Sequence, residues 1–105
     1  MIRVSVLYPN KPGSRFDHAY YAQRHMPMVR AELSRFGLLR AEIDKGLAGE
    51  GPDSPAPFVC IGHLYFQSLT DFQNGMLAHG EDLLADVPNY TDLAPQIQVS
   101  EVVET

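Results

Sequence analysis

Cysteine is nearly missing from this chain: Cys60 stands alone among 105 residues, which leaves no internal disulfide and no thiolate cage for a metal. It sits in the apolar run F-V-C-I, where a buried and inert thiol is expected. Basic side chains are scarce too, eight against 13 acidic ones for a net charge of −5, and they are spread singly. Without a cluster of Lys and Arg to meet phosphates, nucleic acid and anionic membrane are not expected partners. No apolar run approaches the roughly 18 residues of a membrane span, and the opening M-I-R-V-S-V-L-Y alternates like a strand rather than a signal peptide. Neither G-x-G-x-x-G nor a P-loop is present, so no nucleotide site is readable. These absences fit a reducing compartment and lead to the expectation of a cytoplasmic protein.

What is present describes an ordinary globule, 45% hydrophobic and 20% charged, with room for one domain over residues 1–105. Ile2 to Tyr8 alternates as a strand and stops at P-N-K-P-G. Leu38 to Lys45 alternates Leu39, Ala41 and Ile43 against Arg40, Glu42 and Asp44, a strand with one wetter face. Residues 46–57 hold three glycines and three prolines and predict an excursion rather than a tight turn. Phe58 to Phe66, apolar in both phases apart from His63, suits a central strand covered on both sides. Ser68 with Asp71 opens a second helix whose stripe is Leu69, Phe72, Met76, His79 and Leu83, ending near Asp86. Gly75 and Gly80 cost that helix about 1 kcal/mol each relative to alanine, so it is expected to fray. Gln96 to Val103 reads as the last strand.

The stretch that organises the chain is residues 16–36, F-D-H-A-Y-Y-A-Q-R-H-M-P-M-V-R-A-E-L-S-R-F. At about 100° per residue, Tyr21, Ala22, His25, Met28, Val29, Leu33 and Phe36 share one side, predicting an amphipathic helix with an imidazole in its apolar stripe. Ser14 or Asp17 is placed to cap its start and Gly37 its end. Pro27 removes the amide that would bond the Gln23 carbonyl, at about 3 kcal/mol in a helix interior. A kink beside His25 is therefore expected, one that sets the angle of its ring. A lone histidine on an apolar face is more often a satisfied core residue than a catalyst, and Tyr20 is expected to pack with its hydroxyl in water.

Strand, helix, strand, strand, helix, strand is the α+β, ferredoxin-like βαββαβ plan: a four-stranded antiparallel sheet with both helices on one face. Because the strands carry apolar residues in both phases, the second face is expected to bury against the sheet of another protomer, giving a homodimer. The ligand volume then lies between sheet and helices, where Tyr21, His25 and Met28 of the first helix and His79 of the second would project.

Several motifs at fixed separations go further: V-L-Y-P at Val6 to Pro9, F-D-x-x-Y-Y-x-x-x-H-M-P at Phe16 to Pro27, G-L-A-G at Gly46 to Gly49, S-P-A-P-F at Ser54 to Phe58, I-G-H at Ile61 to His63, and D-V-P-N-Y-T-D at Asp86 to Asp92 leading to P-Q-I-Q-V-S-E-V. In these the whole chain resembles the EthD-domain proteins, named for a gene cluster linked to ethyl tert-butyl ether degradation, within the dimeric α/β-barrel superfamily. The resemblance implies a dimeric α/β barrel and a loose link to oxidoreductases, with no settled reaction or cofactor. Relatives in the superfamily look like cofactor-free monooxygenases of aromatic polyketides, polyketide cyclases, muconolactone-type isomerases and haem-degrading enzymes. The family's motif histidine falls on His25, and polar motif positions fall on His63, His79, Asp86, Asn89 and Tyr90. His18 lies where the pattern is open and carries no role.

The leading expectation is an enzyme of small, mostly apolar organic molecules such as a phenol, a ketone or an ether-derived compound. In it His25 exchanges a proton with substrate and no bound cofactor or metal is needed. Tyr21, Met28, His79, Asn89 and Tyr90 are the candidate substrate contacts. Asn89 and Tyr90 can instead hold His25 in one tautomer or simply serve the turn, and Asp86 is expected to be a helix-end or turn acceptor. A zinc or iron site from His25, His63 and His79 lacks any local ligand spacing, and a haem on His25 would rest on analogy with the superfamily alone. The competing class is a non-catalytic binding or accessory module of an oxidative degradation pathway.

Overall fold

Alternation of Ile2, Val4, Val6 and Tyr8 with Arg3, Ser5 and Leu7 builds β1 (Ile2–Pro9). A computed structural model describes residues 1–105. After β1 comes an arm of four short pieces over residues 18–36: α1 (His18–Tyr20), a π-helical turn (Tyr21–His25), α2 (Met26–Leu33) and a 3₁₀ turn (Ser34–Phe36). Then follow β2 (Leu38–Lys45), β3 (Phe58–Phe66), α3 (Leu69–Asp86), a 3₁₀ turn (Val87–Asn89) and β4 (Gln96–Glu101). The strands form one sheet in the order β2-β3-β1-β4, with every neighbouring pair antiparallel. This is the ferredoxin-like arrangement expected from the element order. No helix is long and apolar enough to cross a membrane.

The register decides what each face offers. Val4 pairs with Leu64 on one side and Val99 on the other, and Ser5 pairs with His63 and Gln98. The face toward the helices therefore carries Val4, Tyr8, Cys60, Leu64 and Phe66, all buried together with Val29, Leu33 and Leu83. Cys60 is a free, buried thiol whose pKa burial pushes up to about 12, so it is inert as expected. The far face is not the apolar surface expected. It presents Arg3, Ser5, His63, Gln98 and Ser100 around a smaller group of Leu7, Ile61 and Tyr65, because only β3 is apolar in both phases.

Two further expectations change at the sheet edges. A bulge between Leu38 and Arg40 in β2 slips the phase, so Leu38 packs inward opposite Phe66 and Leu39 is 53% exposed. The last strand ends at Glu101 rather than Val103.

The kink predicted at Pro27 takes the form of a π-helical turn. Asp17 caps the arm by accepting the Tyr20 amide at 3.0 Å, and the Met26 amide reaches back five residues to the Tyr21 carbonyl. That wider turn inserts one residue into the helical period. The buried side becomes Tyr21, His25, Met26, Val29 and Leu33, while Ala22 turns to solvent and Met28 is only half-buried. Pro27 then falls in the first turn of α2, where a missing amide costs little. Gly37, at φ +89°, ends the arm in the left-handed conformation.

The second helix carries both of its glycines inside a continuous span. α3 runs unbroken for 18 residues from its Ser68 cap, although Leu69 at its start is exposed. Buried Gly75 explains the tolerance, since a Cβ there would stand 3.0 Å from Leu33 Cδ2 and 3.3 Å from Phe36 Cβ. The missing side chain lets the two helices approach, and packing offsets the propensity cost.

Candidate functional site

Between the inner sheet face and the helices lies a cleft of about 80 Å³. Fifteen of its 18 lining residues are hydrophobic. Among its lining residues Ile97 of β4 and Leu84 of α3 are more than half exposed. Its apolar lining suits a small organic molecule.

His25 is the one imidazole in the wall, and its position is fixed from three sides. Its ring stacks on Tyr21 at 5.5 Å, lies 4.7 Å from that of Tyr90, and places Nδ1 2.9 Å from Asp86 Oδ2. The other carboxylate oxygen of Asp86 accepts from Tyr20 Oη at 2.7 Å and Asn89 Nδ2 at 3.0 Å. Burial acts to raise the Asp86 pKa, but hydrogen bonds from Asn89, His25 and Tyr20 outweigh it and hold the carboxyl below its ordinary range. An ionised carboxylate can only accept, so His25 must donate from Nδ1. In the neutral ring that tautomer leaves the lone pair on Nε2. No protein group hydrogen-bonds Nε2, which is free to meet a bound molecule.

Below the imidazole sits a cluster of buried phenols. Tyr8 and Tyr90 join hydroxyl to hydroxyl at 2.5 Å, and Tyr21 packs edge-on against Tyr8 at 5.6 Å. Desolvation pushes Tyr21 and Tyr90 well above the usual tyrosine range and raises Tyr8. They are hydrogen-bonding groups rather than acids, which leaves the imidazole as the group suited to proton exchange. Gly62 on β3 makes room for one of them, since a Cβ there would collide with the Tyr21 hydroxyl.

The segment after α3 clamps this arrangement, one bond per residue. The Pro88 carbonyl accepts from Arg15 Nη2 at 2.8 Å, Asn89 steadies Asp86, and the Tyr90 carbonyl accepts the Asp17 amide at 2.7 Å. Thr91 Oγ1 donates to the Arg15 carbonyl at 2.7 Å, and Asp92 Oδ1 accepts the Arg15 amide at 2.9 Å. The stretch P-N-Y-T-D thus ties the base of the first arm to the end of α3, and so fixes the distance between His25 and Asp86.

Of the residues singled out in the sequence, Tyr21, His25 and Tyr90 line the cleft. Met28 and His79 do not. The π-helical turn gives Met28's place to Met26, and His79 lies at the seam between helices, edge-on to Phe36 at 5.6 Å. Asn89 is exposed and acts on Asp86 rather than in the cleft wall. Tyr20, expected only to pack, donates to Asp86, and Asp86 is more than a turn acceptor because it holds the imidazole. His63 lies on the far sheet face with Asp44 at 2.8 Å, so the three histidines weighed as a metal site are not brought together. Sequence reasoning missed Tyr8 and Met26. The alternation of β1 already put Tyr8 on the inner face, whereas nothing short of the π-helical turn singles out Met26.

No curated protein matches the chain significantly. Residues 14–94 match the EthD domain. A solved EthD-like protein from Ralstonia eutropha JMP134 is 46% identical, with a TM-score of 0.94 over 98% of this chain and 92% of that one. An ethyl tert-butyl ether (EthD) family protein from Bacillus halodurans C-125 is 18% identical at a TM-score of 0.67, covering 98% and 99% of the two chains. A dimeric ferredoxin-like protein from an uncultured marine organism, 13% identical, shares the fold at a TM-score of 0.56 over 100% and 97%. With a domain match over most of its length and a relative this similar, the chain belongs to the EthD family.

Proposed function

We propose that the chain is a proton-transfer enzyme of a small, mostly apolar organic molecule, with His25 as the acid/base and Asp86 as the residue that positions it. The observation that carries this reading is the single pair at 2.9 Å, His25 Nδ1 on an ionised Asp86, set in a wall that is otherwise almost wholly apolar. Nε2 takes a proton from a phenolic oxygen or an acidic carbon. The O–H or C–H bond breaks and its electron pair stays on the substrate. The resulting anion can isomerise, cyclise or react directly with dioxygen as the oxidant, which accommodates a monooxygenase-type outcome without a tightly bound cofactor. Tyr21 and Tyr90 shape the floor beneath the imidazole, and the apolar surroundings strengthen each fixed dipole they offer.

The reading extends to one domain over residues 1–105, working as a homodimer inside the cell. The far sheet face supports the dimer through Leu7, Ile61 and Tyr65, and through Arg3, whose Nε is buried without a hydrogen-bond partner. A dimer elution volume and mass in solution check it; a monomer at micromolar concentration ends it. For the chemistry, the purified protein is given candidate phenols and ketones while dioxygen uptake and product are followed. Turnover that survives His25→Ala overturns the acid/base role.

The alternative is a non-catalytic binder serving an oxidative pathway, favoured by how little of the cleft wall is polar. It predicts ligand binding in the wild type, no turnover of any candidate, and unchanged affinity in His25→Ala.

A further inference from the structure

On the helical side of the molecule, away from the cleft, three metal-ligating side chains meet across the seam between α2 and α3. Glu32 comes from α2, and His79 and Asp82, three residues apart, share one face of α3. Their donor atoms lie within 4.8 Å of one another, and none of the three lines the cleft. His79 Nδ1 and Glu32 Oε2 are 4.0 Å apart, too far for a hydrogen bond. Glu32 Oε2 is nevertheless buried and has no hydrogen-bond partner at all. A carboxylate oxygen taken out of water without a donor is a costly feature, and a bound ion is one of the few things that accounts for it.

We propose that Glu32, His79 and Asp82 form a binding site for one zinc-type divalent ion. One imidazole and two carboxylates are the donors such ions take, whereas calcium and magnesium prefer all-oxygen sets and copper(I) prefers sulfur. A tetrahedral ion with bonds of about 2.1 Å holds its ligands about 3.4 Å apart, a contraction within reach of side-chain rotation. Asp82 is exposed, so water completes the coordination from that side. The ion also relieves the repulsion between two carboxylates drawn together in an acidic chain. Its position has a structural consequence: it joins the arm that carries His25 to the helix that carries Asp86. The site is thus a clamp on the two elements whose spacing sets the imidazole and carboxylate pair.

The test uses the full chain without a purification tag, freed of metal and titrated with zinc chloride by calorimetry, with cobalt(II) absorption reporting nitrogen and oxygen donors. One ion per chain is expected, with a rise in Tm of about 5 °C near saturation. Asp82→Asn, at an exposed position that the fold does not need, and Glu32→Gln should each weaken binding at least about tenfold. His63→Ala, which removes the other histidine and carboxylate pair, should leave binding unchanged. The proposal is overturned by the absence of saturable one-to-one binding. It is equally overturned by binding that survives both carboxylate variants or disappears in His63→Ala. These outcomes are read from binding and Tm, so they stand apart from any result on turnover at the cleft.

Discussion

The molecule contains the same pair of side chains twice. His25, in the cleft wall, meets Asp86 behind it at 2.9 Å, and His63 meets Asp44 at 2.8 Å on the far sheet face. Distance does not distinguish them; surroundings do. The side chains of His25 and Asp86 are 8% and 13% exposed, against 16% and 63% for His63 and Asp44. Asp86 also accepts from Tyr20 and Asn89, whereas Asp44 stands on an edge strand with His63 as its only side-chain hydrogen-bond partner. A largely buried carboxylate held by three donors fixes a tautomer, and one left in water holds its partner weakly. Ser5 Oγ, 3.4 Å from His63 Nδ1, completes a serine, histidine and aspartate row on that face. It lies outside the cleft, which neither His63 nor Asp44 lines. The row is a reminder that a pattern of residue types is not a site.

Breaking the two pairs in parallel gives the sharpest contrast. His25→Ala should lower turnover of an identified substrate by about 10² to 10⁴-fold, the range for a lost acid/base group, while His63→Ala should leave it within about twofold. Steady-state rates on both variants decide it, and equal losses would erase the distinction drawn here. A smaller effect is expected from the carboxylates. Asp86→Asn keeps the shape but loses the fixed tautomer, and about a tenfold to hundredfold fall in turnover is expected with little change in substrate affinity. Asp44→Asn should stay within about 0.5 kcal/mol of wild type in stability and unchanged in rate.

How much of this contrast the sequence could reveal depends on the residue. Strand and helix order followed from alternation and caps, and β2 and β3 fall at the residues expected, because period-two patterning and turn residues are local signals. His25 stood out for a local reason as well, through the proline two residues on. Asp86 did not, because its importance comes from a contact 61 residues away in sequence. His79 sits on the regular helix α3 and meets Glu32 and Phe36 at the seam between helices, whereas Met28 left the cleft wall for a geometric reason. A single π-helical turn shifts the whole inward stripe, and ideal helical spacing has no means of anticipating it. The far face was expected to be apolar because the strands were read as apolar in both phases, but only β3 is, and the register with β1 and β4 supplies the polar majority.

Gly62 tests the cleft side of the comparison by packing rather than charge. It sits in β3 beside His63 but faces the other way, under the Tyr21 hydroxyl. Gly62→Ala should displace the phenol on which the His25 ring stacks, at about 1–3 kcal/mol of stability, read as a lowered denaturation midpoint. Turnover should fall with it. On the far face the neighbouring Ile61→Val should cost about 0.5–1.5 kcal/mol and leave turnover alone.

The smallest expected effect is acid sensitivity, and it tests Asp86 without any substrate. The folded pKa of Asp86 lies below its ordinary 3.8, because hydrogen bonds from Asn89, His25 and Tyr20 overcome the opposing effect of burial. A carboxyl depressed on folding contributes its full stabilisation above the unfolded value and loses it as the pH falls through the lower folded one, since the unfolded chain takes up the proton first. The wild type should therefore lose stability below about pH 4, and Asp86→Asn, with no proton to gain, should show a shallower acid limb. Denaturation midpoints measured across that window check the ordering. An acid limb in Asp86→Asn as steep as that of the wild type would mean that other carboxyls carry the sensitivity and that the three donors do not depress the Asp86 pKa.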